Sequence, residues 1–152
     1  MHAELQLDNQ ICFRLYTATR LITQASTTIL TAMGITYPQY LVLMVLWEKD
    51  EQPVCDIANR LLLETNTVTP LLQRMEKEGI LSRKRGREDA RQMIVSLTKK
   101  GKQLQKQLSE VPHAVGCTVL CDSITPETVP GLNRMLDDMI AHLQTKPDAH
   151  EL

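Results

Sequence analysis

Aromatic residues are scarce in this 152-residue chain: one tryptophan, one phenylalanine and three tyrosines, 3% in all. The core is therefore expected to be aliphatic, with seven methionines to fill its gaps. No run approaches the roughly 18 consecutive apolar residues of a membrane span. The opening Met1-His2-Ala3-Glu4 lacks the basic-then-apolar pattern of a secretory signal. A cytoplasmic location is the resulting expectation. Positive charge is not in excess either. The net charge is −1, so bulk charge alone does not announce a nucleic-acid binder. There is no CxxC pair, no phosphate-binding glycine loop and no nucleophile elbow, so neither an enzyme nor a cofactor is expected. Cys12, Cys55, Cys117 and Cys121 are not expected to form standing disulfides in a reducing compartment. Cys117 and Cys121 have only His113 near them at ligand spacing, so no metal site is expected.

What is present is a helical pattern in an ordinary globular balance, 43% hydrophobic and 23% charged. Leu7, Ile11, Leu15, Ala18, Ile22, Ala25 and Ile29 recur at steps of three and four, predicting a helix over 7–33 that stops at Gly34. Thr36 and Gln39 have capping-box spacing, with Pro38 in the first turn of a second, largely apolar helix. Residues 50–53 read as a turn and 54–63 as a third helix. A fourth begins near Thr65, with Val68, Leu71, Leu72 and Met75 inward and Pro70 expected in its first turn. Gly79 terminates it.

The period then changes. Residues 80–84 can be extended, residues 86–89 form a polar turn, and Met93, Val95 and Leu97 alternate with Gln92, Ile94 and Ser96 as in a half-buried strand. The expectation is a two-stranded hairpin. A fifth helix starts at Thr98 and runs past Leu108, irregular at Pro112 and Gly116. A last one starts after Ser123 or Thr125, with Pro126 and Glu127 in its first turn. It carries Val129, Leu132, Leu136, Met139, Ile140 and Leu143 inward. The whole is mainly α with a small β-hairpin wing. A helix pair followed by a hairpin is the winged helix-turn-helix order.

The fourth helix offers an outward face of Asn66, Thr67, Thr69, Gln73, Arg74 and Lys77, suited to phosphates and base edges. Between positions 83 and 91 stand five basic residues, Arg83, Lys84, Arg85, Arg87 and Arg91, against Glu88 and Asp89. An arginine on a narrow loop can enter a minor groove, and Asp89 is placed to hold Arg91 by an ion pair. The plain alternative is a solvated helix face and an exposed charged turn. Cys12, in the first turns of a helix whose dipole favours an anion, is a candidate reactive thiol, with Tyr16 one turn on and Tyr37 at the next helix start. Its plain alternative is a small buried apolar residue.

Leu81-Ser82-Arg83-Lys84-Arg85-Gly86-Arg87-Glu88-Asp89-Ala90-Arg91, followed by Val95-Ser96-Leu97-Thr98, is similar to the wing of the MarR family, with its Asp-x-Arg pair and closing Leu-Thr. Residues 67–76 resemble that family's recognition helix. The resemblance implies a homodimer on double-stranded pseudo-palindromic operator DNA. In it, residues 1–35 and 99–145 would form the dimerisation part and 36–98 the DNA-binding domain, with 146–152 a flexible tail. Thr67, Thr69, Gln73 and Arg74 would lie over the major groove, and Arg85, Arg87, Asp89 and Arg91 would form the wing contact. Residues 9–16 and 35–41 resemble the organic-hydroperoxide branch of the family, OhrR, whose early cysteine is the peroxide target. Cys12 falls at that position, and Ser26 stands where well-known members carry a second tyrosine. Members with two working cysteines carry a resolving one in the partner subunit, which implies Cys117, with Cys121 in reserve. The expected function is a repressor that leaves DNA when Cys12 is oxidised by an organic hydroperoxide. A repressor released by a small aromatic ligand, or a thiol-dependent peroxidase, is the alternative.

Overall fold

The computed structural model describes residues 2, 5–87 and 89–145; the expected tail at 146–152 lies outside them. Among the described residues, a 3-10 turn at Leu7–Asn9 precedes seven helices and three strands: α1 (Ile11–Ala32), α2 (Tyr37–Glu48), β1 (Gln52–Pro53), α3 (Val54–Leu61), α4 (Thr65–Lys77), β2 (Leu81–Arg85), β3 (Met93–Leu97), α5 (Lys99–Gln107), α6 (Val111–Val119) and α7 (Val129–Thr145). The backbone divides into two compact units, up to Val115 and from Gly116 onward.

The first unit is built around α2. Thr36 and Gln39 form the expected capping box, and Gln39, Tyr40, Val42, Leu43, Val45 and Leu46 are all buried. Val68, Leu72 and Met75 of α4, Ile57 and Ala58 of α3, Leu81, Val95 and Leu104 close the aliphatic core around it. The buried Gln39 is not left unpaired: its amide donates to Glu78 Oε2 at 2.8 Å. Two helix ends use glycine where the backbone turns left-handed, Gly34 at φ 69° and Gly79 at φ 71°. Each is followed by an N–H that reaches back five residues, Ile35 to Leu30 and Ile80 to Met75.

The same motif ends α3, but there Leu62 adopts the left-handed conformation (φ 55°). This stops α3 at Leu61, short of the expected residue 63, at a cost of about 1–2 kcal/mol for a side chain with a Cβ. Pro70 also departs from expectation. It lies in the second turn of α4, because the helix already starts at Thr65. The cost is one missing N–H opposite the Asn66 carbonyl, on a face that water reaches.

Residues 50–53 are not only a turn. Gln52 and Pro53 pair with Val95 and Ile94, making a three-stranded antiparallel sheet in the order β1-β3-β2. Asp50 anchors this addition. Its Oδ1 accepts from the N–H groups of Leu97 (2.8 Å) and Glu51 (2.9 Å), and Oδ2 lies 3.1 Å from Lys102 Nζ. The expected fifth helix is two. Thr98 caps α5, whose end is marked by Leu108 and by Ser109 Oγ donating to the Lys106 carbonyl. Pro112 has no N–H for the Leu108 carbonyl, so the chain breaks and restarts as α6.

In the second unit the last helix starts at Val129, not at residue 125. In the preceding turn the Thr128 hydroxyl accepts the Thr125 N–H at 2.8 Å and lies 3.2 Å from the Thr125 carbonyl, which holds Pro126 and Glu127 outside the helix. Before it, Cys121 and Ile124 close a tight loop through two backbone hydrogen bonds.

The outer helices carry the largest departure. Of the stripe foreseen on α1, Ile11 is exposed and the others at best half-buried; the buried residues are Ser26 and Leu30. No residue of α7 is buried, and Met135, Ile140 and Leu143 are exposed.

Burial pushes the Asp50 carboxyl up, but the Leu97 and Glu51 N–H groups and the Lys102 ammonium outweigh it and hold it below the ordinary carboxylate value. A depressed carboxyl contributes stability that is present at neutral pH and lost as pH falls through its folded-state value. Asp50→Ala is therefore expected to lower unfolding free energy by about 1–3 kcal/mol at pH 7, leaving the Leu97 N–H without its acceptor. In urea titrations the gap between wild type and variant should close on acidification. A gap independent of pH would show that the charge of Asp50 contributes nothing.

Candidate functional site

The wing is a closed loop on a two-stranded ladder. β2 and β3 pair from Leu81 with Leu97 to Arg85 with Met93. The Gly86 N–H donates to the Gln92 carbonyl at 2.8 Å, and a Cβ at Gly86 would sit 2.6 Å from the Asp89 carbonyl oxygen, so the tip closes only on glycine. Asp89 does not pair with the Arg91 guanidinium. Its Oδ1 accepts the Arg91 backbone N–H at 2.9 Å, and its carbonyl accepts from Gln92 at 3.0 Å. The carboxylate thus shapes the loop and leaves the Arg91 side chain exposed, along with Arg85 and Arg87.

The basic segment is also less free than a count suggests. Arg83 is held by Glu76 of α4: Nε donates to Oε2 at 3.0 Å, the second guanidinium nitrogen at 2.8 Å, and its backbone N–H reaches Oε1 at 3.0 Å. The Arg83 guanidinium beside Glu76 keeps that carboxyl below its ordinary value, against partial desolvation.

α4 presents Asn66, Thr67, Gln73, Arg74 and Lys77 to solvent. Thr69 is half-buried and donates to the Thr65 carbonyl at 2.7 Å, and the Thr67 hydroxyl lies 3.3 Å from Asn66 Oδ1. The N-cap of α4, Glu64, makes no side-chain capping bond. Between α4 and the sheet runs an open groove of about 470 Å³, walled by Thr65, Thr69, Gln73, Arg83, Arg91 and Gln92. Of the foreseen DNA-facing residues, the structure brings Thr69, Gln73 and Arg91 to this one groove, with Thr67 and Arg74 on the exposed face of α4 beside it. Cys55 also stands on the groove wall and is exposed. No sequence signal marked Cys55 or the Glu76–Arg83 pair, because both depend on α3, α4 and β2 meeting in space.

The four cysteines are exposed and none is disulfide-bonded. Cys12 is the second residue of α1; Cys117 lies in α6 and Cys121 in the loop after it. Tyr16 is 67% exposed, and Tyr37 is half-buried with its ring centroid 6.4 Å from that of Tyr40. Neither tyrosine hydroxyl bonds Cys12 within the chain. Ser26 is fully buried and donates to the Ile22 carbonyl of its own helix at 3.1 Å, so its hydroxyl is already used.

The family described as transcriptional regulator SarA/Rot matches residues 24–108. The organic hydroperoxide resistance transcriptional regulator of Bacillus subtilis is 40% identical over 111 residues, 73% of this chain and 76% of that protein. Reduced AbfR bound to DNA is 37% identical, with a TM-score of 0.76, over 92% of this chain and 96% of that one; AbfR has also been solved from Staphylococcus epidermidis. The overoxidised form bound to DNA gives 36% and 0.74 over 92% and 96%, and the disulfide form 37% and 0.64 over 94% and 95%. A MarR-family regulator of Rhodococcus sp. RHA1 shares the fold at 20% identity, with a TM-score of 0.75 over 89% and 95%. Built on a threonine-faced helix and an arginine-tipped wing, the chain belongs to the MarR/SarA family of winged-helix, DNA-binding transcriptional regulators.

Proposed function

We propose that the chain is a homodimeric repressor that holds pseudo-palindromic operator DNA while Cys12 is reduced and releases it on oxidation by an organic hydroperoxide. The observation that carries this reading is Cys12 itself: an exposed thiol in the first turn of α1, in a chain 40% identical to an organic hydroperoxide resistance regulator. The Cys12 thiolate attacks the peroxide O–O bond, giving Cys12 sulfenic acid and the alcohol. Cys117 of the partner subunit, with Cys121 in reserve, then displaces water from the sulfenic acid and closes a disulfide. AbfR supports the bridge as the releasing event, since overoxidised AbfR is described bound to DNA and a disulfide form also exists. This chain superposes better on reduced, DNA-bound AbfR (0.76) than on the disulfide form (0.64). Tyr16 and Tyr37 are assigned to the surroundings of Cys12 in the dimer.

The dimer is proposed from the two outer helices. Ile11 and Leu143 are exposed in one chain, and Leu15, Leu136 and Met139 are half-buried; these are the residues a second copy would cover. Residues 1–35 and 99–145 would supply that seam, and 36–98 would meet DNA. α4 would enter the major groove with Thr67, Thr69, Gln73 and Arg74, and Arg91, flanked by Arg85 and Arg87, would enter the minor groove.

One cleft favours a second reading, release by a small aromatic ligand. About 330 Å³ lies against Tyr40, Met44, Trp47, Leu108 and Pro112. Burial, and then Tyr37, push the Tyr40 hydroxyl above its ordinary value.

Three outcomes check these readings. On a non-reducing gel after organic hydroperoxide, wild type should run as a covalent dimer, and Cys12→Ser should not. Cys117→Ser should not either, unless Cys121 substitutes. Oxidised wild type that leaves DNA while running as a monomer would remove the two-cysteine scheme; unaltered DNA release by Cys12→Ser would favour the ligand reading. Arg91→Ala should weaken operator binding with little change in thermal unfolding, since the side chain is exposed. Leu136→Asp, which would bury a charge in the seam, should sediment as a monomer; a DNA-binding dimer would place the interface elsewhere.

A further inference from the structure

Glu76 is an acidic residue on the helix proposed to face DNA, and on charge alone it should repel a phosphate strand. Its geometry says something different. Both carboxylate oxygens are turned onto Arg83, one taking the backbone N–H and the other two guanidinium nitrogens, all at 2.8–3.0 Å. An ordinary surface ion pair is worth little. This one combines a forked guanidinium contact with a main-chain bond, and the Arg83 side chain is only 18% exposed. Arg83 is therefore poorly placed to serve as a phosphate anchor.

Its position in the sheet explains what is held. Arg83 pairs with Val95, and Val95 pairs with Gln52, so the three residues form one rung across β2, β3 and β1. Val95 is fully buried. Fixing Arg83 to α4 fixes the middle of the wing sheet relative to the helix, and with it the groove lined by Thr69, Gln73 and Arg91.

We propose that Glu76 is a positioning residue for DNA discrimination: through Arg83 it sets the register between the helix that reads the major groove and the wing tip that reads the minor groove. The inference rests on the reading that DNA meets this groove. It predicts an effect opposite in sign to simple charge removal. Taking away a carboxylate that merely repels DNA tightens binding to every sequence. Taking away the clamp leaves non-specific phosphate contacts in place, because they need no register, and weakens binding to the preferred sequence.

The probes are a duplex selected by the wild-type protein from a random pool and an unselected random duplex of equal length, at fixed salt. Glu76→Gln should lower the ratio of the two affinities by about tenfold, through weaker binding to the selected duplex, with unselected binding equal or stronger. An unchanged ratio, or tighter binding to both, overturns the proposal. Arg83→Gln and the double variant complete a cycle. The double should lose no more discrimination than the worse single, and independent, additive effects overturn the clamp as well. Circular dichroism checks each variant's fold, and Glu76→Asp, which keeps the charge but shortens the reach, should fall between Glu76→Gln and wild type. Arg91→Ala separates the two levels. If it lowers selected binding while Glu76→Gln does not alter the ratio, the clamp alone is wrong. If neither variant has an effect, the groove is not where DNA binds, and both readings fall.

Discussion

The backbone oxygen of Ile80 is where the winged helix is tied together. It accepts the Thr98 N–H at 3.1 Å and shares the Thr98 hydroxyl with the Gly79 carbonyl, at 2.8 and 2.7 Å. The same hydroxyl oxygen accepts the Gly101 N–H at 3.2 Å and so caps α5. Gly101 is buried directly over Ile80, where an added Cβ would run into the Ile80 carbonyl. Its own carbonyl accepts the indole N–H of Trp47 at 3.1 Å. One small junction thus joins the end of α4, the end of β3, the start of α5 and the central helix α2. The Lys100 ammonium adds a bond to the Glu78 carbonyl at 2.9 Å. The Leu-Thr that closes the wing has its physical meaning here: leucine packs under the sheet, and threonine supplies a donor and an acceptor at one atom.

Given that junction, the charges sort into two kinds. Arg83 and Asp50 are half-buried and spent on positioning strands and a helix start, with the exposed Lys102 paired to Asp50. Arg85, Arg87 and Arg91 remain on the outside of a loop shaped by Gly86 and Asp89. A nearly neutral chain can present a concentrated basic tip in this way, since attraction to phosphate depends on local and not net charge. The left-handed Leu62 belongs to the same design. It ends α3 abruptly and lets α4 begin three residues later, the short turn of a helix-turn-helix.

The outer helices obey a different constraint. α1 before its last two turns and the whole of α7 carry no buried residue, while α2, α3 and α4 each contribute several fully buried side chains to the core. Apolar stripes of that length on a regulator of this family are what a second copy would cover. The proposed redox switch begins on the first of these helices, with Cys12 near the start of α1, and its proposed partner Cys117 lies within α6.

Local pattern determined a good deal. The capping box at Thr36 and Gln39, the terminators Gly34 and Gly79, the inward face of α4 and the Thr98 helix start are all set by residues within four or five positions of one another, so they were legible in the sequence. The hairpin was legible in the period of two over residues 92–97, and the resemblance added the roles expected of its arginines and of Cys12. Tertiary structure alone decided the rest. The strand at Gln52 and Pro53 exists because Val95 and Ile94 lie beside it, too short to show a period of its own. Asp50 gains its role from an N–H forty-seven positions away. Arg83, counted from the sequence among the basic residues of the wing, is taken out of that count by Glu76 of the neighbouring helix α4. Pairings of this kind are fixed by packing of the aliphatic core, and no spacing along the chain encodes them.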